Sequence, residues 1–378
     1  MKSALTLGIT GFSLIAVSYG MARFSWGLMM PDVVRDIPFT PRVAGLLSAC
    51  SFVAYCLTIL FSPLLARRAG PRLMAAAAAG FAAVGLIVLA LSSAPAGLAA
   101  GIFIAGLSPG LASPSLADAV SRVVSEKQQP GMNTLINAGT SAGIILSVPV
   151  LFFVPGGWRM ACWIFALLAL ICAIPALRWL PRESVSQGAE RGSWRQTLFC
   201  RALVRLMIIA FVSGMASAAW WSFGPEILRH HVGVDARTAN LLWLVSGAAG
   251  ILGVLTGPVA SSIGLHQVYR ASQLCMAAPL LLLAFSHELS GWFFPAVALC
   301  GVGYITLTGV LLVCGVSALE KAPATGASVV FFMLAAGQVA GATLFGLLSA
   351  QSSATAALVT FSMLSLLIMF LRPATQKK

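Results

Sequence analysis

Apolar residues run along this chain in blocks of about 20, each long enough to cross a bilayer core as a helix. Short polar stretches separate the blocks. The pattern predicts spans over residues 4–30, 43–65, 73–91, 97–119, 133–154, 158–180, 203–228, 239–261, 269–286, 292–317, 327–350 and 355–371. Strands of a closed barrel would alternate apolar and polar positions, and these blocks are unbroken instead. Irregular backbone cannot face lipid, so the spans are expected to be helices. One connection stands out: residues 181–201 are polar and carry Arg182, Glu183, Glu190, Arg191 and Arg195. The expected architecture is all-α and polytopic. It comprises twelve transmembrane helices in two pseudo-symmetric six-helix bundles, 1–180 and 202–378, joined by a cytoplasmic linker at 181–201.

Two local patterns recur half a chain apart. Phe24-Ser25-Trp26-Gly27 closes the first block, and Trp221-Ser222-Phe223-Gly224 closes the seventh. Gly70 follows Pro63 after the second block, and Gly264 follows Pro258 after the eighth. Paired bundles of this kind mark secondary transporters with a site between the halves. Ala16-Val17-Ser18 resembles a signal-peptidase site, but cleavage there would remove most of the helix whose end is repeated at Trp221.

Composition narrows the function. The 378 residues are 59% hydrophobic and 9% charged, against roughly 25% charged in soluble domains. Such a chain has too little polar surface for water alone and calls for a lipid solvent. The net charge of +13 does not indicate nucleic acid, because the basic residues are punctuation between apolar blocks. Sorted by loop, 17 Lys and Arg fall on one side and 5 on the other. By the positive-inside bias, both termini are expected in the cytoplasm and the chain in the inner membrane. The eight cysteines form no Cys-x-x-Cys pair, and the histidines have no metal-ligand spacing. No Gly-x-x-x-x-Gly-Lys-Ser/Thr run suggests a nucleotide site. No cofactor is expected, and the oligomeric expectation is a monomer. A membrane enzyme would want clustered His, Asp or Glu in its spans, which the sequence lacks, so an enzyme is not expected.

Ionisable groups within spans are costly and therefore functional candidates. Arg23 lies eight residues before Pro31, roughly 12 Å along the helix from its outer end. Its planar fork suits a carboxylate, sulfonate or phosphate; pairing with Glu226 or Asp32, or snorkelling, also fits. Glu226 follows Gly224-Pro225 and is a candidate proton carrier or an ordinary helix-end charge. Asp118 lies on the same side as Arg67, Arg68 and Arg72, which suggests a gating ion pair; proton coupling or a plain surface charge also fits. Small-residue runs such as Gly101 to Gly106 and Gly247 to Gly253 suit close helix packing. Ser108-Pro109-Gly110 suits a bend.

These features resemble the major facilitator superfamily over the whole chain. The run Tyr19 to Pro31, with Gly20, Arg23 and Phe24, is similar to the first helix of its YbfB/YjiJ-type branch. Asn137 to Gly143, then Pro149 and Gly157-Trp158-Arg159, resemble the fifth helix and following loop of that branch. The superfamily loop Gly-x-x-x-Asp-Arg-x-Gly-Arg-Lys/Arg is altered here: Arg68, Gly70 and Arg72 fit, while Pro63 and Arg67 replace the Gly and the Asp. The resemblance implies that helices one, two, four, five, seven, eight, ten and eleven line a central cavity. On them Tyr55, Asn137, Thr140, Trp220, Trp221, Trp243, Tyr304 and Gln338 join Arg23 as candidate substrate contacts. Two transport readings stand. One is movement of a small organic solute, an anion by virtue of Arg23, through alternating access. The other is proton-coupled efflux of amphipathic drugs or toxicants.

Overall fold

The computed structural model describes residues 2–182, 201–319 and 323–373. The expected linker therefore lies largely outside the described residues. The described chain is helical, and ten helices have the length and apolarity to cross a membrane: α1 (Ala4–Asp36), α2 (Pro41–Ser62), α3 (Arg68–Leu91), α4 (Pro95–Val123), α5 (Gly131–Phe153), α6 (Gly157–Trp179), α7 (Arg201–His231), α8 (Ala236–Ile263), α10 (Phe293–Ala318) and α11 (Thr325–Gln351). Two more occupy the remaining expected positions. The helix α9 (Leu265–Ala284) carries His266, Gln267, Arg270 and Gln273. The helix α12 (Ala354–Ile368) is 15 residues long.

Chain contacts divide the molecule into two compact units. One comprises residues 1–39 and 50–187, the other 40–49 and 188–378. In the first, Leu14, Ile15, Ala78, Leu111, Leu116 and Ala119 form part of one buried cluster. In the second, Leu206, Ile209, Tyr269, Leu307, Val310 and Val330 do the same. The outward faces are as apolar as the cores: on α6, Leu167, Leu170, Ile171 and Ile174 are 49–61% exposed. Apolar surface on this scale requires a hydrocarbon surround.

Lipid tails remove the hydrophobic drive between helices, so packing comes from close backbone approach at small residues. Glycine supplies it in each unit, at corresponding helix pairs. Gly139 and Gly143 of α5 face the carbonyls of Phe12 and Ala16 on α1. Gly337 and Gly341 of α11 face those of Phe211 and Met215 on α7. Gly106 of α4 faces the Ser51 carbonyl of α2, and Gly301 of α10 faces the Ser246 carbonyl of α8. A Cβ at any of these positions would collide with backbone, not with a yielding side chain.

The two loop glycines also correspond. Gly70 sits at φ 69° between α2 and α3, and Gly264 at φ 91° between α8 and α9. Both conformations favour glycine because a Cβ would clash with neighbouring backbone. Gly70 breaks what is otherwise a continuous helical run from Pro41 to Leu91. Beyond it, the Arg72 N–H donates to the Pro181 carbonyl at 3.2 Å, and Arg72 Nε donates to the Leu180 carbonyl at 2.6 Å. At the opposite end of the same unit, Trp158 Nε1 donates to Asp36 at 2.8 Å. There Arg159 donates to the Ser92 carbonyl at 3.0 Å and covers the Trp158 ring at 4.2 Å.

Replacing Gly143 or Gly337 by Ala is expected to lower the thermal midpoint of the purified protein in detergent by several degrees. Gly80, whose missing Cβ would meet nothing within 4 Å, is the control: Gly80→Ala is expected to hold or raise stability, by up to about 1 kcal/mol from helix propensity. Gly70→Ala and Gly264→Ala are each expected to cost about 1–3 kcal/mol, read from the same melting curves.

Candidate functional site

In the first unit the chemistry centres on the middle of α1. Residues Ala16–Phe24 wind as a π-helix, a wide turn often found at functional sites. Gly20, inside this turn, rests directly on the Gly143 backbone of α5. Arg23, next to last in the segment, is 6% exposed. Its guanidinium carbon stands 4.5 Å from the Tyr55 ring centre, 4.8 Å from Phe52, 5.4 Å from Phe24 and 5.7 Å from Tyr19. Phe52 and Tyr55 are three residues apart on α2 and so share a face. Tyr19 is one turn before Arg23. Its hydroxyl donates to that of Tyr55 at 3.2 Å and shares a 2.8 Å hydrogen bond with Ser113 of α4. Three helices thus hold one aromatic cage around one cation.

A guanidinium at this depth is costly, and cation–π contacts return about 0.5–2 kcal/mol each. The rings have a quadrupole and no net charge. They pack against the guanidinium and hold the fork in place. Such an arrangement can engage an anion that matches a planar donor pair.

On α5, Thr140 is buried beside the glycines that press on α1. Asn137 is exposed, at the turn where the two helical segments of α5 meet around Ala138. The run from Asn137 to Gly143 thus serves mainly to bring α5 against α1.

The second unit gathers the other candidates. Trp220, Trp221, Trp243, Tyr304 and Gln338 come from α7, α8, α10 and α11, and all are at most 6% exposed. Trp221 stands at 5.5 Å from Trp243, edge to face, and at 5.2 Å from Tyr304. Trp220 lies 5.8 Å from Trp243, and its Nε1 donates to Ser246 at 2.9 Å. The Gln338 amide donates to the Tyr304 hydroxyl at 3.1 Å and to Ser217 at 3.3 Å. The indole N–H of Trp243 is buried with no hydrogen-bond partner. A narrow cleft bordered by Ser217, Trp220, Trp221 and Cys300 opens beside this cluster. Flat rings next to an amide and hydroxyls suit a ligand with an apolar body and polar edges.

The residues expected to gate or couple are placed differently. Asp118 pairs with Arg122 on its own helix, at 3.2 Å, and not with the loop around Arg72. An i, i+4 neighbour is already in reach on a helix surface. Its second carboxylate oxygen is buried without a partner. Arg72 is spent on the Leu180 carbonyl, Arg68 is exposed, and the side chain of Arg67 lies outside the described residues. Glu226 stands 3.7 Å from His230, again on its own helix.

Several contributors were not singled out from the sequence. Tyr19 carried a usable signal, an aromatic one turn from a buried arginine. Phe52 is on the same α2 face as Tyr55. Ser217 and Ser246 had no sequence signal, because serine is common in these helices. Gln273, fully buried on α9, donates to Ser213 of α7 at 2.7 Å, and α9 was not expected to line a cavity.

Known proteins share this architecture. The crystal structure of a point mutant of the nucleoside transporter NupG matches with a TM-score of 0.81 at 14% identity, over 97% of this chain and 98% of that one. Another NupG structure matches with a TM-score of 0.73 at 18% identity, over 98% of each chain. A POT family transporter, solved in complex with a thioalcohol-conjugated peptide, matches with a TM-score of 0.77 at 15% identity, over 98% of this chain and 95% of that one. At these identities the likeness is one of fold. The family model described as Major Facilitator Superfamily matches residues 12–342. With most of its length matched in this way and its apolar helices arranged as above, the chain belongs to the Major Facilitator Superfamily.

Proposed function

We propose that this chain is a secondary transporter that moves a small organic anion across the inner membrane by alternating access, with Arg23 as the anion contact. One observation carries the reading: a guanidinium almost wholly buried in the π-turn of α1, held by four rings that bring no charge of their own. A desolvated cation of this kind gains most from a ligand that brings the opposite charge. The Trp220–Trp221–Trp243–Tyr304 cluster with Gln338 is the second contact surface, for the apolar or planar part of the solute. The neighbouring folds belong to a nucleoside transporter and to a transporter solved with a conjugated peptide, which agrees with a small organic solute.

In this scheme bundles 1–180 and 202–378 move about the linker 181–201, both termini are cytoplasmic, and an ion gradient or the solute's own gradient drives transport. Glu226, near the end of α7 and beside His230, is the proposed proton carrier. Placement in the YbfB/YjiJ-type branch rests on residues 19–31 and 137–159.

The substrate is to be found by thermal shift against metabolite panels, since a ligand of the folded state raises its melting temperature by mass action. In proteoliposomes loaded with that solute, Arg23→Ala is expected to lower kcat/KM on the order of a hundredfold, as loss of a buried charge partner does. Arg23→Lys is expected to restore only part, because an ammonium lacks the planar fork. Normal anion transport by the Ala variant would overturn the reading. Retained efflux of cationic or neutral drugs together with no anion transport by the native chain would favour the drug-efflux alternative. Gln338→Leu is expected to raise KM about tenfold while leaving kcat within about twofold, the signature of lost uniform binding.

A further inference from the structure

The first turns of α9 hold a corner of positive charge with nothing in the described structure to balance it. The helix begins at Gly264, which has no side chain to cap it. A helix N-terminus carries roughly half a positive charge and favours anions. Here its first turns carry His266 and Arg270 instead. Arg270 follows His266 by one helical turn, and Arg372 follows Phe370 and Leu371, which pack against Arg270 and the start of α9. His266 stacks on Tyr269 at 6.4 Å, and both its ring nitrogens are buried without a hydrogen-bond partner. Arg270 Nε is likewise buried and unpartnered, while its guanidinium faces the Phe370 ring at 5.9 Å. Among the described residues, none of His266, Arg270 and Arg372 forms an ion pair.

Packing keeps these groups together. The Tyr269 hydroxyl donates to the Ile368 carbonyl at 2.7 Å, which ties the start of α9 to the end of α12. Val268, Tyr269 and Ile368 share one buried cluster, with Leu265 and Leu371 against it. Arg270 and Arg372 both belong to the side on which most basic loops collect. The corner therefore lies at the end of its helices, at headgroup depth, where basic pockets between spans take anionic lipid heads.

We propose that His266, Arg270 and Arg372 form a binding site for a phosphate-bearing anion, supplied by an anionic phospholipid headgroup. The site is separate from Arg23 and does not depend on the transport reading. An arginine fork and a helix N-terminus are both suited to phosphate oxygens. The bound group would satisfy the orphaned donors and offset the uncompensated charge.

The test uses the purified full chain in detergent. Its melting midpoint is read with added phosphatidylglycerol, with phosphatidylcholine, and with inorganic phosphate at matched ionic strength. The expected result is a rise of several degrees with phosphatidylglycerol and none with phosphatidylcholine. Removing either arginine should weaken the apparent affinity about fivefold, the equivalent of about 1 kcal/mol per basic residue near a lipid surface. An equal rise with inorganic phosphate, lost in the same variants, would support the site with free phosphate as its ligand. Arg372→Gln, at an exposed position, keeps the test valid should Arg270→Gln fail to fold. No rise with either anion, or a rise that persists unchanged in Arg372→Gln and in the double variant, would overturn the proposal. Glu320 lies outside the described residues. Loss of stability in Glu320→Gln matching that in Arg270→Gln, with no lipid response in the native chain, would also overturn it by identifying an internal counter-charge.

Discussion

Close contact between helix backbones is the interaction on which the rest depends. Water gives helices a reason to pack, and lipid does not. What holds α5 to α1 and α11 to α7 is the approach of one helix surface to the carbonyls of another, at Gly139, Gly143, Gly337 and Gly341. The approach is short enough that no larger residue fits. The Arg23 cage and the cluster around Gln338 each sit beside such a seam. Gly20 meets Gly143 within the π-turn that also carries Arg23. Ser217 and Gln338 meet where α7 and α11 are pressed together. Glycine is thus used here for proximity more than for flexibility, with Gly70 and Gly264 the positions where backbone freedom itself is needed.

The two units solve different chemical problems on a shared plan. In the first, one cation is enclosed by rings whose hydroxyls form a chain, Ser113 to Tyr19 to Tyr55. In the second there is no cation at the corresponding place. Three indoles, a phenol and an amide are packed together, and Trp220 and Gln338 each donate to a serine. The difference follows from the repeat itself: Arg23-Phe24 in one half corresponds to Trp220-Trp221 in the other. A duplicated scaffold keeps its glycine seams and lets the residues beside them diverge.

Charge is distributed with similar economy. The contacts of Asp118 and Glu226 are local, to a basic residue one turn away. Arg72 and Arg159 spend their charge on carbonyls at helix ends, 2.6 and 3.0 Å away. Orphan carbonyls at a helix C-terminus carry partial negative charge and accept such donors. The corner of α9 is the exception, with cations placed at the helix end that least favours them. The apparent cost there is what makes an external anion the simplest account.

The sequence by itself determined the membrane setting and the helical class, and it offered a repeat and a candidate in Arg23. These follow from block length, composition, repeat and the cost of charge in hydrocarbon, which are properties of residues in order. The glycines at 70 and 264 were legible as a matched pair, and their positive φ angles explain why. Only the tertiary structure decided who surrounds whom. That Trp220, Trp221, Trp243, Tyr304 and Gln338 form one cluster depends on the rotation of four helices about their axes, which spacing along one helix does not set. That Asn137 is exposed while Thr140 is buried depends on where α5 meets α1. That Asp118 turns to Arg122, and not to the 67–72 loop, depends on a local neighbour winning over a distant one. Side-chain partners are chosen by packing between helices, and the order of residues along each helix constrains that choice without making it.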